Sequence, residues 1–139
     1  MKSTGFTLIE LLVAVMIVGI LSAVAVSSYQ DYITRANRAD AKAVLMEVAG
    51  WMERNYSATG SYNTNPAGAA VTVPIAQSPK TGTAKYAITL PTLTATTFTA
   101  QAAPSGWTDA ECGDLTLNHL GVQAVSDTAT GTVADCWQR

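Results

Sequence analysis

The hydrophobic pattern of the chain changes sharply along its length. A nearly unbroken apolar run covers residues 6–26, and Glu10 is its one charged residue. At about 1.5 Å of rise per residue, a helix of this length is about 30 Å long, enough to cross a bilayer. Only five residues precede the run, and Lys2 and the N-terminal amine give them positive charge. The positive-inside rule therefore predicts this end in the cytoplasm and the rest of the chain outside.

After residue 26 the pattern stays helical but becomes amphipathic. Ala41, Leu45, Val48 and Met52 recur at the spacing of one helical face. We therefore expect one helix over about residues 6–56, with the C-terminal half burying this stripe, and Gly60 as its stop. The charged residues of this half are predicted to lie mostly away from the stripe: Arg35, Arg38, Asp40, Lys42, Glu47, Glu53 and Arg54.

The second half of the chain has the two-residue alternation of strands. Three stretches alternate, and turns rich in Gly and Pro separate them. A loop rich in proline and asparagine precedes these stretches. Within this loop we predict a short edge strand at 71–73. Three antiparallel strands laid on the helix stripe predict an α+β fold. The predicted strands are 86–90, 97–102 and 114–118, and the predicted turns lie at 91–96, 106–108 and Gly121.

The charge composition argues against general electrostatic binding of nucleic acid. The formal net charge is −2, and beyond residue 54 the only basic residues are Lys80, Lys85 and Arg139. Nucleic-acid binding depends on a basic patch or stripe. Binding to nucleic acid is therefore not supported by charge.

Candidate chemistry is sparse. Cys112 and Cys136 lie in the exported part without a metal-binding spacing, so we expect a disulfide. His119 is the only histidine, and we expect it on the surface. The acidic cluster around Cys112 (Asp109, Glu111 and Asp114) favours solvated charge over a cation site. We predict no enzyme, no cofactor and no metal.

The residues before the apolar run carry a specific motif. A secretory signal has a shorter apolar core and a cleavage site after it, and it has no carboxylate four residues into that core. The segment Gly5-Phe6-Thr7-Leu8-Ile9-Glu10 instead resembles the class III signal of type IV prepilins and pseudopilins. The resemblance implies cleavage between Gly5 and Phe6 by a prepilin peptidase, followed by methylation of the amine of Phe6.

The same resemblance gives Glu10 a role. Its carboxylate would pair with the cationic amine of Phe6 on a neighbouring subunit when the helices leave lipid for a filament core. A buried charge without its partner costs several kcal/mol. The pair of Phe6 and Glu10 would therefore set the axial position of each subunit during assembly.

The tail and the helix also resemble this family, in particular PilE-like minor pilins. The matching segments are 29–38 and 112–118, with Gly121 and Asp135-Cys136-Trp137. One departure is Ser27, where pilins usually carry a proline and unwind from a glycine, here Gly19. Without that proline we expect a straighter helix.

The resemblance implies a pilin fold with three parts. Residues 1–5 are the leader, and 6–28 are the transmembrane and filament-core half of the helix. Residues 29–139 are the globular head, made of an amphipathic helix (29–56), an αβ-loop (57–83), and a sheet with a disulfide-bounded D-region (84–139). Before assembly the chain would cross the inner membrane once, with its head in the periplasm.

The expected function is that of a structural subunit of a type IV pilus. Its implied partners are other pilin subunits, the prepilin peptidase and methyltransferase, and the inner-membrane assembly machinery. Motility, adhesion and DNA uptake would be properties of the extracellular fibre. Three alternatives stay open: a type II secretion pseudopilin, a DNA-binding minor pilin of a competence system, and a membrane-tethered ligand-binding module. The cysteines at 112 and 136 speak against the pseudopilin, and the thin basic content weakens the DNA-binding reading.

Overall fold

The computed structural model describes residues 7–138, apart from the side chain of Ser27. These residues fall into two compact units, one ending at Thr34 and one beginning at Arg35. The elements in chain order are α1 (Leu8–Thr59), β1 (Gln77–Ser78), β2 (Tyr86–Leu93), β3 (Phe98–Pro104), β4 (Leu115–Asn118), β5 (Gln123–Val125) and α2 (Val133–Trp137).

The first unit is the N-terminal part of α1. Thr7 starts the helix, since its hydroxyl accepts a hydrogen bond from Glu10 N–H at 3.3 Å, as an N-cap side chain does. The large apolar side chains between Leu8 and Val26 are exposed. The helix is long and apolar enough to cross a membrane.

The second unit contains a five-stranded antiparallel sheet. The strands follow chain order, β1-β2-β3-β4-β5. Alternate residues of the central strand β3 are buried: Phe98, Ala100 and Ala102. Because successive strand residues point to opposite faces, this pattern places one face of the sheet on the core and leaves the other partly solvated.

The core of this unit joins the helix stripe to the sheet. Ala41, Leu45, Val48 and Met52 are all fully buried, as the sequence predicts. They belong to the same cluster of buried side chains as the inward residues of β2, β3 and β4. The α+β architecture of a long helix with a small antiparallel sheet is confirmed.

Several element bounds differ from those predicted. Helix α1 runs to Thr59, and the hydroxyls of Ser57 and Thr59 donate to carbonyls one turn back. Gly60 then ends it with a φ of +72°, as expected. The predicted edge strand at 71–73 is wrong: Val71 packs into the core, and the short edge strand is β1.

The region predicted as a turn at 91–96 is also different. Strand β2 continues through Pro91 to Leu93, and its register with β3 shifts between Thr89 and Thr92. Such an irregularity accommodates a proline, which cannot donate to the ladder. The connection is instead the tight turn in which Thr94 N–H donates to Thr97 O at 2.9 Å.

Candidate functional site

The processing and assembly residues lie at the start of the chain. Gly5 and Phe6 are outside the described residues. Glu10 lies in the first turn of α1, with apolar neighbours that are all exposed. Among residues 7–138, the ion pairs do not include Glu10. The carboxylate and the apolar surface around it are therefore open to whatever surrounds the helix.

Helix α1 continues without a break through Gly19 and residue 27, the segment that the resemblance marks for unwinding. Gly19 and residue 27 both lie within α1. A side chain at Gly19 would meet nothing within 4 Å. The hydroxyl of Ser22 also donates a hydrogen bond to Val18 O, one turn back, at 2.7 Å, so this polar group is satisfied within the helix. A proline inside a helix kinks or breaks it, so the unbroken helix is consistent with a serine at position 27.

A buried ionic cluster joins α1 to the segment before Cys112. The guanidinium of Arg38 bonds both carboxylate oxygens of Asp109, at 2.7 Å from Nε and 2.5 Å from a terminal nitrogen. The other terminal nitrogen bonds Glu111 at 2.7 Å. Tyr86 donates its hydroxyl to Asp109 at 3.0 Å, and Cys112 N–H donates at 3.1 Å. Asp109 therefore ties the helix, strand β2 and the disulfide segment together.

The electrostatics of this cluster follow from burial and pairing. Burial acts to raise the pKa of Asp109, but its hydrogen bonds from Arg38 and Cys112 outweigh burial and hold that pKa below its usual value. The hydrogen bond to Asp109 raises the pKa of Arg38. Burial and the nearby Asp109 charge raise the pKa of Tyr86. In this cluster the charged side chains of Arg38 and Asp109 are thus paired next to the neutral hydroxyl of Tyr86.

This cluster corrects the expectation that the helix charges lie away from the stripe. Arg38 and Lys42 are both buried. Position 38 lies three residues before Ala41 and seven before Leu45, both spacings of one helical face, so the stripe extends one turn further than its apolar members indicate. Asp109 and Glu111, expected as solvated charge, face Arg38 instead.

Lys42 continues the same face toward the C-terminus of the chain. Its amine donates to Trp137 O at 3.3 Å. Burial, and then the charge of Arg38, lowers the pKa of Lys42. The end of α2 therefore covers a cation that the helix holds away from water.

The two cysteines form the predicted disulfide. The sulfurs of Cys112 and Cys136 are joined, and both residues are fully buried. Two glycines permit the close packing around them. A Cβ at Gly113 would lie 2.6 Å from the Cβ of Ser126, and one at Gly131 would lie 2.9 Å from Glu111. Neither position has room for a side chain.

An aromatic cluster closes the other end of the helix. Tyr62 stacks on Tyr56 with ring centroids 4.5 Å apart, and meets Phe98 edge-on at 4.9 Å. His119 was expected on the surface, but it is half-buried and its ring packs against Tyr62 and Phe98. The residue follows β4 directly, so the sheet carries it to the core edge.

The few basic residues of the sheet region are engaged. Lys80 forms an ion pair with Glu47. Lys85 lies at the start of β2, where its carbonyl accepts a hydrogen bond from the indole of Trp107 at 2.7 Å. This bond fixes the half-buried ring of Trp107 against the backbone of Lys85.

The acidic residues near Cys112 are not gathered into a metal centre. Asp114 accepts a hydrogen bond from Gln101 at 2.6 Å, apart from the Asp109 pair with Arg38. Within residues 7–138, no group of three or more His, Cys, Asp or Glu residues is arranged to hold a metal ion.

Two family models match successive parts of the chain. Residues 1–26 match the prokaryotic N-terminal methylation motif. Residues 27–116, more than half of the chain, match the family described as type IV minor pilin ComP, DNA uptake sequence receptor. The chain belongs to this type IV minor pilin family. The match beyond residue 26 is thus to a pilin family, which favours a pilin over the alternative of a secretion pseudopilin.

Curated relatives of this pilin are fimbrial proteins. Fimbrial protein EcpC of Eikenella corrodens is 37% identical over 67 residues, which are 48% of this chain and 44% of EcpC. A fimbrial protein of Moraxella nonliquefaciens is 57% identical over 37 residues, 27% of this chain and 24% of the relative. The type IV major pilin protein PilE1 of Neisseria gonorrhoeae is 60% identical over 37 residues, 27% of this chain and 22% of PilE1. This pilin thus matches less than half of each relative's length.

Two solved structures are also similar to this pilin. The non-core minor pilin PilV of Neisseria meningitidis has a TM-score of 0.49 at 22% identity, covering 72% of this chain and 97% of PilV. A type IV pilin from Shewanella oneidensis has a TM-score of 0.47 at 28% identity, covering 76% of this chain and 98% of that pilin.

Proposed function

We propose that this pilin is a structural subunit of a type IV pilus. A prepilin peptidase cuts between Gly5 and Phe6, and the new amine of Phe6 is methylated. The subunit then crosses the inner membrane once, with the head in the periplasm. The assembly machinery finally moves it into an extracellular fibre with other pilin subunits. In this proposal its role is structural rather than catalytic.

One observation carries this proposal. The N-terminal methylation motif occupies residues 1–26, and in the described part of that range every large apolar side chain is exposed. Such a surface requires lipid or packed helices around it. Glu10 supports assembly over permanent anchoring, because a carboxylate near lipid is costly and gains a partner only beside another subunit's Phe6 amine.

Mass spectrometry of the mature N-terminus, together with analysis of sheared fibres, tests the proposal. We expect the chain to begin at a methylated Phe6 and to be recovered in the fibre fraction. Glu10→Ala is expected to be processed normally but to lose most of its incorporation into fibres.

Asp31→Ala is the matched control, since Asp31 is an exposed carboxylate on the same helix beyond the apolar run. It is expected to assemble like wild type. An intact N-terminus, or normal assembly of Glu10→Ala, would contradict the proposal.

A second candidate function is a receptor for DNA at the fibre surface. The name of the matched family, DNA uptake sequence receptor, favours it. The charges from residue 35 onward are seven basic and eight acidic, so any contact with DNA must be local. Lys85 is the candidate, because it is a cation that can contact phosphate and its backbone carbonyl is bonded to the indole of Trp107, so the two residues lie at one place on the head.

Binding of the full chain in detergent micelles to duplex DNA tests this candidate over a range of salt concentrations. Affinity is expected to fall as salt rises, and Lys85→Ala is expected to weaken binding and reduce the salt dependence. Arg54→Ala is the control, since this exposed cation lies on the helix away from Trp107. Equal loss in both variants would indicate non-specific attraction and would refute a site at Lys85.

A further inference from the structure

The two cysteines lie on segments that are anchored very differently. Cys112 directly precedes β4, which lies inside the sheet between β3 and β5. Cys136 lies on residues 126–138, the segment after β5 that includes α2 and is called the strap here. The disulfide cross-links these two segments, which the backbone joins only through β4 and β5.

The Cys112 side is held by buried, charge-assisted contacts that do not involve the strap. Asp109 receives hydrogen bonds from Arg38, from Tyr86 and from the backbone N–H of Cys112. Charge-assisted hydrogen bonds of this kind are the stronger ones, and bidentate geometry fixes orientation as well. The segment around Asp109 is therefore attached to α1 and β2 by contacts other than the disulfide.

The strap has weaker attachments of its own. Its helix α2 has five residues, fewer than a helix needs to be stable alone in water. Trp137 is buried and donates its indole N–H to Ala124 O at 3.1 Å. Its carbonyl accepts from Lys42 at 3.3 Å, a long contact.

Backbone hydrogen bonds also attach the middle of the strap. Thr130 N–H donates to Ala110 O at 3.3 Å, and Gly131 N–H donates to Glu111 O at 2.7 Å. Thr130 and Ala110 are exposed, so water competes for the first of these bonds. The described attachments of the strap thus include the disulfide, Trp137, partly solvated hydrogen bonds, and the close packing of Ser126 on Gly113 and of Gly131 on Glu111.

We propose that the strap is a hinged segment, closed over Lys42 by the Cys112–Cys136 disulfide, while the Arg38–Asp109 pair holds the Cys112 side independently. Without the disulfide, the strap opens from α1 and uncovers Lys42, and the sheet stays folded. The surface made by residues 126–138 is then presented only by disulfide-bonded subunits. This inference concerns the head alone and does not depend on the proposed pilus or DNA function.

Lys42 provides a direct readout of the strap. Residue 42 is 9% exposed in the closed form, while the side chain of Lys80 is 52% exposed. A short pulse of an amine-acetylating reagent, analysed by mass spectrometry, therefore compares Lys42 with Lys80 and Lys85 inside the same molecule. Amide hydrogen exchange of 126–138 against 115–118 gives a second measurement.

The experiment uses the full chain in detergent micelles and two variants. The double variant Cys112→Ala, Cys136→Ala removes the disulfide without adding buried polar atoms. We expect Lys42 acetylation to rise severalfold relative to Lys80, and exchange to rise in the strap but not in β4. Glu111→Gln, with the disulfide intact, is the matched control, because it removes a half-exposed charge next to Cys112; in it Lys42 is expected to stay protected.

Three results would overturn the inference. Lys42 staying protected in the double variant would mean that the strap closes without the disulfide. Loss of protection in β4 together with the strap would mean that the region unfolds as one unit. Equal exposure of Lys42 in Glu111→Gln would mean that the position of the strap does not depend specifically on the disulfide. Wild type treated with a dithiol reductant under native conditions must give the same result as the double variant.

Discussion

Asp109 shows how one residue connects three parts of the head. It is nearly fully buried, yet it accepts hydrogen bonds from α1, from β2 and from the backbone at Cys112. Burying a charge is costly unless it is paired and hydrogen-bonded. Here both of its oxygens are used, so removal of the charge leaves Arg38 buried without its main partner.

We therefore expect Asp109→Asn to lower the free energy of unfolding by about 3 kcal/mol. Urea denaturation followed by tryptophan fluorescence measures this loss. Glu111→Gln is the control: Glu111 also pairs with Arg38, but its side chain is 52% exposed. Its loss should cost less than about 1 kcal/mol because water screens the pair. Similar losses in both variants would contradict this role for Asp109.

Ser78 illustrates the opposite case, a polar group that gains nothing from its position. Its residue is fully buried, and its hydroxyl has no hydrogen-bond partner among the described residues. An unsatisfied buried hydroxyl costs about 1–3 kcal/mol. Ser78→Ala is therefore expected to leave the urea midpoint unchanged or to raise it.

Ser61→Ala is the comparison for Ser78, because the Ser61 hydroxyl donates to Asn63 at 2.7 Å. Its loss is expected to lower stability by about 1 kcal/mol. A clear loss of stability in Ser78→Ala would indicate that its hydroxyl has a partner, such as an ordered water.

At the scale of elements, the turn after Cys112 depends on a glycine for two reasons. Gly113 has a φ of +57°, and an added Cβ would lie 2.6 Å from Ser126. Gly113→Ala should thus combine about 1 kcal/mol of backbone strain with about 1–3 kcal/mol of overpacking. Gly82→Ala, at a φ of +84° with open space, isolates the strain alone. Equal urea midpoints for the two variants would show that the contact with Ser126 costs nothing.

The elements that the sequence predicts are those with a repeated pattern. Ala41, Leu45 and Val48 mark a helix face over several turns, and such a periodicity is a strong signal. Strands β1 and β5 have two and three residues, too short to show alternation. Only pairing with their neighbours defines them, and no local signal in the sequence reports that pairing.

The ionic cluster was missed for a related reason. A charged residue at position 38 suggests a solvated face, because Arg is seldom fully buried unless it is paired. Its partner Asp109 lies 71 positions later, in a loop whose path is set by the sheet. Burial of Arg38 could be inferred only from its helical spacing to Ala41. The disulfide, by contrast, could be predicted, because the exported part of the chain is expected in an oxidising compartment and contains two cysteines.

At the scale of the whole molecule, the buried charge makes stability depend on acid. The folded pKa of Asp109 lies below its usual value, so its contribution is fully present above the unfolded pKa of about 4. It is lost as pH falls through the folded pKa. Wild type should therefore lose more stability than Asp109→Asn between about pH 5 and pH 2, as measured by urea midpoints. Parallel acid profiles would contradict this assignment.

The alkaline limit has a different origin, in the aromatic cluster at the other end of the helix. Burial, followed by the hydrogen bond to Glu53 at 2.9 Å, raises the pKa of Tyr62 to about 12. Its unfolded pKa is about 10, so the unfolded chain releases this proton first, and stability falls as pH rises from about 10 toward 12. Tyr62→Phe should flatten this loss, although Tyr86, whose pKa is also raised, keeps part of it. Tyr29→Phe is the control, because Tyr29 is exposed, and it should leave the alkaline profile of the urea midpoint unchanged. A Tyr62→Phe profile equal to that of wild type would exclude Tyr62 as the cause of the alkaline loss of stability.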